Sequence, residues 1–110
     1  MTYQVRITKT AEKDLISAAD HIEFVLKNPK AADDLLDEAD AQINSLDEYP
    51  ERCKVVDDSV HNSWGIRYII VKNYLAFFII NEEKKEVIIV RFLFQKSNWN
   101  SILRQGIALY

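Results

Sequence analysis

The run GIRYIIVKNYLAFFIINEEKKEVIIVRFLFQKSNWNSIL, Gly65 to Leu103, decides the fold. Three blocks within it, Arg67 to Val71, Tyr74 to Ile80 and Glu86 to Phe94, are rich in β-branched and aromatic residues. Such side chains fit a pleated, half-buried surface. Lys72-Asn73 separates the first two blocks, and Asn is the residue expected to take the positive φ of a tight hairpin turn. The polar stretch Asn81-Glu82-Glu83-Lys84-Lys85 joins the second block to the third. The middle block is apolar at successive positions, so both of its faces need cover, and it belongs at the centre of a sheet.

Working outward, Asn98 to Gln105 reads as a short terminal helix capped by Ser97 or Asn98 and stopped by Gly106. Upstream, Glu51 to Ser63 keeps no period and reads as a loop, with a short extended piece at Lys54 to Val56. Before it lie two helical stripes. Ala11, Leu15, Ala18, Ile22 and Val25/Leu26 form one; Ala32, Leu35/Leu36, Ala39, Ile43 and Leu46 form the other, with an acidic face opposite. Thr8 and Thr10 are N-cap residues for the first helix. Asn28-Pro29 ends that helix and starts the second, because proline disfavours a helical residue before it and suits the first helical turn. Tyr3-Gln4-Val5-Arg6-Ile7 alternates like a half-exposed strand. The order β-α-α-β-β-β-α predicts an α+β fold of one domain, residues 1–110. An N-terminal strand and a two-helix hairpin pack on a three- to four-stranded antiparallel sheet, with a short C-terminal helix and the far face of the sheet open.

Composition narrows the function. The 110 residues are 48% hydrophobic and 28% charged with a net charge of −3, values of a folded globular chain rather than a strongly basic nucleic-acid binder. The charge is polarised: residues 1–50 hold five Lys/Arg against eleven Asp/Glu, and residues 51–110 hold nine against six. No acidic residue follows Glu86. The single cysteine, Cys53, excludes an intrachain disulfide, and with only two histidines, His21 and His61, a dedicated zinc site is not expected. No signal peptide or membrane-length apolar run is visible, so a cytoplasmic chain without cofactor or membrane contact is expected.

The words of the sequence, in their order, resemble the RelE/ParE superfamily of type II toxins over almost the whole chain. YQVRITKTAEKDL is similar to the family's first strand and helix start, and Leu46-x-x-x-Pro50-x-Arg52 to the close of its helical hairpin. Gly65-x-Arg67, Asn73-Tyr74-Leu75-x-Phe77-Phe78, Val87-x-Ile89-x-Arg91 and Trp99 resemble its strand signatures. The resemblance implies a toxin neutralised by a cognate antitoxin, meeting operator DNA only through that complex. RelE-type members cleave mRNA on the ribosome with a basic cluster; ParE-type members bind and poison DNA gyrase. The RelE lysine positions fall here on Tyr68 and Ile70, and Leu75 follows Tyr74. This favours the ParE-like branch. A member that only binds antitoxin is the third reading.

Metal-free RNA cleavage needs a base, an acid and cations on the developing phosphorane charge. Arg67, Arg91 and Lys96, with His61 as base, are the residues for that chemistry. For a binding toxin, Arg67, Arg91, Lys96, Trp64 and Trp99 are the residues that would meet target or antitoxin. Each has a plainer reading. The arginines pair with helix or loop carboxylates at the sheet's flank, Trp99 fills core beside Ile102 and Leu103, and Lys96 is a solvated lysine.

Overall fold

A computed structural model describes residues 2–56 and 64–110. Its elements are β1 (Gln4–Ile7), α1 (Lys9–Asp20), α2 (Pro29–Asn44), β2 (Arg67–Val71), β3 (Tyr74–Asn81), β4 (Glu86–Phe94) and α3 (Trp99–Arg104). Short 3-10 turns cover Ser45–Asp47 and Pro50–Arg52.

The three-block run folds as a meander. β2 pairs with β3 and β3 with β4, both antiparallel, and β1 joins the far side of β4 in parallel, giving the order β1-β4-β3-β2. The sheet is therefore mixed rather than wholly antiparallel. The alternation of β1 marks it as a strand with one wet face but carries no information on direction. Direction is set by the hairpin, which returns the chain across the sheet before the meander begins. The tight turn also differs from expectation: the left-handed residue is Lys72 (φ 54°), not Asn73.

Helix capping follows the sequence. Thr8 accepts the Ala11 N–H at 3.2 Å, and Asn28 accepts the Ala31 N–H at 3.1 Å with Pro29 in the first turn. Each satisfies a backbone donor that helix geometry leaves unpaired. The buried stripes, Ala11 and Ala18 on α1 and Leu35, Ala39 and Ile43 on α2, pack against Val87, Ile89, Phe78 and Phe92. The first stripe, however, ends early. After Asp20 the chain makes a wider π-helical turn, His21–Val25, which shifts the phase of the following side chains. Val25 and Leu26, placed in the buried stripe by their spacing, are 64% and 61% exposed, and Phe24 is 67% exposed.

The far face of the sheet is not open either. Phe77, Ile88, Val90 and Leu93 form a second cluster there, closed by Val56, Ile66 and α3's Leu103. Phe77 and Phe78 are thus adjacent, fully buried, and in opposite layers.

A bulge in β4 organises the junction of sheet and hairpin. Phe77 pairs with Arg91 and Phe78 with Ile89, so Val90 is the extra residue. Beyond it Phe92, not Arg91, continues the row of Val87 and Ile89 against the helices. β1 has ended at Ile7, opposite Ile89. In the vacated edge Asp14 of α1 takes the place of a strand. Its Oδ2 accepts from Arg91 Nε at 2.7 Å and from the Phe92 N–H at 3.1 Å, and its Oδ1 accepts from Arg91 Nη2 at 3.0 Å. Both side chains are mostly shielded, at 23% and 15% exposure.

Removing one member of such a pair leaves the other without its partner in a partly dry site. Asp14→Ala is expected to lower stability by about 2–3 kcal/mol, and Asp14→Asn, which keeps an acceptor for Phe92, by less. Urea midpoints check this; midpoints unchanged in both variants would refute the assignment.

Candidate binding surfaces

The two strand arginines face different tasks in different places. Arg67 Nη1 donates to the carbonyls of Cys53 at 2.7 Å and Glu51 at 3.1 Å, while Val55 bridges to Arg67 along the β2 edge. It fastens the loop after α2 to the first strand of the meander. Arg91 is held by Asp14 on the other side of the sheet. Trp99 packs its ring 5.3 Å from Phe77, inside the second core. Trp64 is 45% exposed beside Gly65. Lys96 is exposed on the turn after β4. His61 lies outside the described residues. Arg67, Arg91, Lys96 and Trp99 therefore do not converge on one point. No group of three metal-ligating side chains occurs among the described residues.

Cys53 is half-buried against the hairpin-side core, and burial pushes its thiol up. A raised thiol pKa lowers the share of thiolate, the reactive form. Burial likewise raises Tyr74, which stacks on Phe92 at 5.2 Å and meets Phe94 edge-on at 5.4 Å.

At the opposite end of the sheet the ring of Tyr3 is buried and its hydroxyl reaches the surface. The phenol donates to Glu51 Oε2 at 2.7 Å, with both Glu82 oxygens at 3.1 Å, and Lys85 lies 5.3 Å from the ring centre. The bond from Tyr3 holds the Glu51 carboxyl below its usual range, and the same bond pushes the phenol well above its own. This cluster ties β1, the 3-10 turn at Pro50–Arg52 and the β3–β4 turn.

What remains accessible is groove rather than catalytic centre. One groove runs along β1 and the hairpin, about 290 Å³ in volume, with Val5, Ile7, Leu15, Leu36 and Ile43 in its walls and Glu12 and Asp40 at its rim. β1 is an edge strand whose other side pairs only with β4. Gln4 and Thr8 send their N–H groups to Lys85 and Ile89, so the ladder's alternation turns those of Val5 and Ile7 outward. A second groove, about 640 Å³, lies between the hairpin tip and the end of the meander, walled by Ile22, Leu26, Ala31, Asn73, Tyr74 and Phe94. By sequence alone Leu26 is a stripe residue and Phe94 a strand residue. The run Phe24-Val25-Leu26 was the available signal, since three consecutive apolar residues cannot share one helical stripe.

A sequence-family profile described as "ParE toxin of type II toxin-antitoxin system, parDE" matches residues 5–99. The chain belongs to that toxin family. Two solved structures share the ParE-like fold. The chromosomal ParDE toxin–antitoxin system from P. aeruginosa has a TM-score of 0.69 at 21% identity, over 84% of this chain and 96% of the other. The RelBE2 toxin–antitoxin complex from Mycobacterium tuberculosis has a TM-score of 0.58 at 22% identity, over 86% and 99%. No curated protein matched the sequence. No described helix of this ParE-family chain is long and apolar enough to cross a membrane.

Because Glu51 is depressed in the fold, its contribution is present above the ordinary carboxylate pKa and is lost as pH falls through the folded value. The stability gap between wild type and Glu51→Gln is therefore expected to be full at about pH 6 and to shrink steadily below about pH 4. Chemical denaturation across that range measures it; a constant gap would count against the Tyr3 contact as its cause.

Proposed function

We propose that this ParE-family toxin arrests growth by binding an essential protein, with DNA gyrase the target that the family resemblance implies, and that a cognate antitoxin holds it inactive. The observation that supports binding over chemistry is the engagement of the strand cations. Arg91 gives its Nε and Nη2 to Asp14, and Arg67 gives its Nη1 to two loop carbonyls. Cations committed to protein acceptors cannot move onto a phosphorane without breaking the sheet's own fastenings. The exposed features are instead apolar grooves, an unpaired strand edge and surface lysines, the elements of peptide and protein recognition. On this reading one domain does the work in the cytoplasm, Lys96 and Trp64 are residues that meet target or antitoxin, and operator DNA is reached only through the antitoxin.

The order in which macromolecular syntheses fail after induction separates the mechanisms. Pulse incorporation of DNA and protein precursors, just after inducing the chain without antitoxin, is expected to show early loss of DNA synthesis while translation continues. Purified chain is then expected to block supercoiling by gyrase. Early loss of translation would replace this reading with ribosome-dependent mRNA cleavage. Expression without any growth arrest would leave an antitoxin-binding role alone.

A further inference from the structure

The groove at the hairpin tip combines an apolar lining with basic surroundings. Its walls are mainly apolar, with His21, Asn28 and Asn73 among them, and the exposed Phe24, Val25 and Leu26 extend the apolar surface over the tip. Its surroundings are basic. The stretches that form it, residues 21–31, 72–74 and 94–96, carry Lys27, Lys30, Lys72 and Lys96 against one acidic residue, Glu23, in a chain whose net charge is −3. Lys30 is already paired with Asp34 at 3.3 Å. Lys27, Lys72 and Lys96 have no ion pair among the described residues.

The rim is also preformed. The Asn28 N–H reaches the Ile22 carbonyl at 3.0 Å and closes the tip. Across the groove, the Gln95 N–H bonds the Asn73 carbonyl at 2.8 Å, and its side chain bonds the Lys72 carbonyl at 3.3 Å. These bonds lock the turns that carry Lys72 and Lys96 to each other. Lys27 and Lys72 both adopt left-handed backbone, at φ 54° each, a conformation that costs a side-chain-bearing residue energy.

We infer that this groove seats an acidic, amphipathic segment of the antitoxin, its apolar side chains against Ile22, Leu26, Tyr74 and Phe94 and its carboxylates facing Lys27, Lys72 and Lys96. The inference rests on the antitoxin reading above and assigns it a place. Apolar anchors in a desolvated slot supply most of the affinity, and the lysine rim supplies orientation and speed of encounter. The chain's own helix α2, with its acidic face, is the competing occupant in a second copy.

Calorimetric titration of the full chain with the product of the adjoining gene tests this. Four forms are compared: wild type, Leu26→Asp, the triple variant Lys27→Glu/Lys72→Glu/Lys96→Glu, and Ile70→Asp on edge strand β2, whose exposed side chain lies on the opposite face of the sheet beside Val56, Leu75 and Trp99. Leu26 and the three lysines are exposed, so melting temperatures close to wild type are expected. Affinity is expected to fall about tenfold or more in Leu26→Asp and in the triple variant, and to stay within about threefold in Ile70→Asp. Added salt weakens wild type more than the triple variant. Wild-type affinity in both groove variants would overturn the inference while leaving the antitoxin reading intact. No binding by wild type would remove both. Self-association of wild type that Leu26→Asp abolishes would assign the groove to a second copy and overturn the inference as well.

Discussion

The carboxylate of Asp14 is where three parts of the molecule meet. β1 stops one residue short of the β4 bulge, and a strand edge left there would present an unpaired N–H to the helices. Asp14 closes that edge from α1, taking the Phe92 N–H and the forked guanidinium of Arg91 with two oxygens. Arg suits the position because its planar fork matches a carboxylate in a way an ammonium does not. The consequence extends to both layers. With Arg91 drawn to the helix, Phe92 enters the hairpin-side core and Leu93 the far-side core. A register set in this way fixes every later side chain of β4, including Phe94 at the mouth of the tip groove.

The same constraint separates scaffold from surface. The arginines that look most reactive in the sequence are fastenings between elements, Arg91 from sheet to helix and Arg67 from sheet to loop. Residues with less chemical character are the ones left exposed: Leu26, Phe24, Phe94 and the lysines of three turns. Such a division fits a protein that acts by contact. A binding toxin needs a rigid frame and an accessible surface; a nuclease needs cations free to follow developing charge.

Much of the fold was legible because its determinants are local. The meander announces itself in three apolar blocks, and Thr8, Asn28-Pro29 and Gly106 punctuate the helices as capping chemistry requires. What escaped was non-local or a matter of phase. Nothing in QVRI says that it lies parallel to β4. The cover of the far face comes from Val56, Ile66 and Leu103, isolated residues whose partners are distant in sequence. The π-helical turn at His21–Val25 moved Val25 and Leu26 from the expected core to the surface. Asp14 and Arg91 are 77 residues apart, so either could be read only as a lone charge. The tip groove was hidden for the same reason, since it exists only once the hairpin tip is laid beside the β2–β3 turn.

If Arg91 is a fastening and not a free cation, its energetic partner must be Asp14. A double-mutant cycle on unfolding free energy, with Asp14→Ala, Arg91→Ala and both together, measures that partnership directly. A coupling on the order of 2–3 kcal/mol is predicted, with the double variant little worse than either single one. Additivity within about 0.3 kcal/mol would contradict the account and return Arg91 to the residues available for a target.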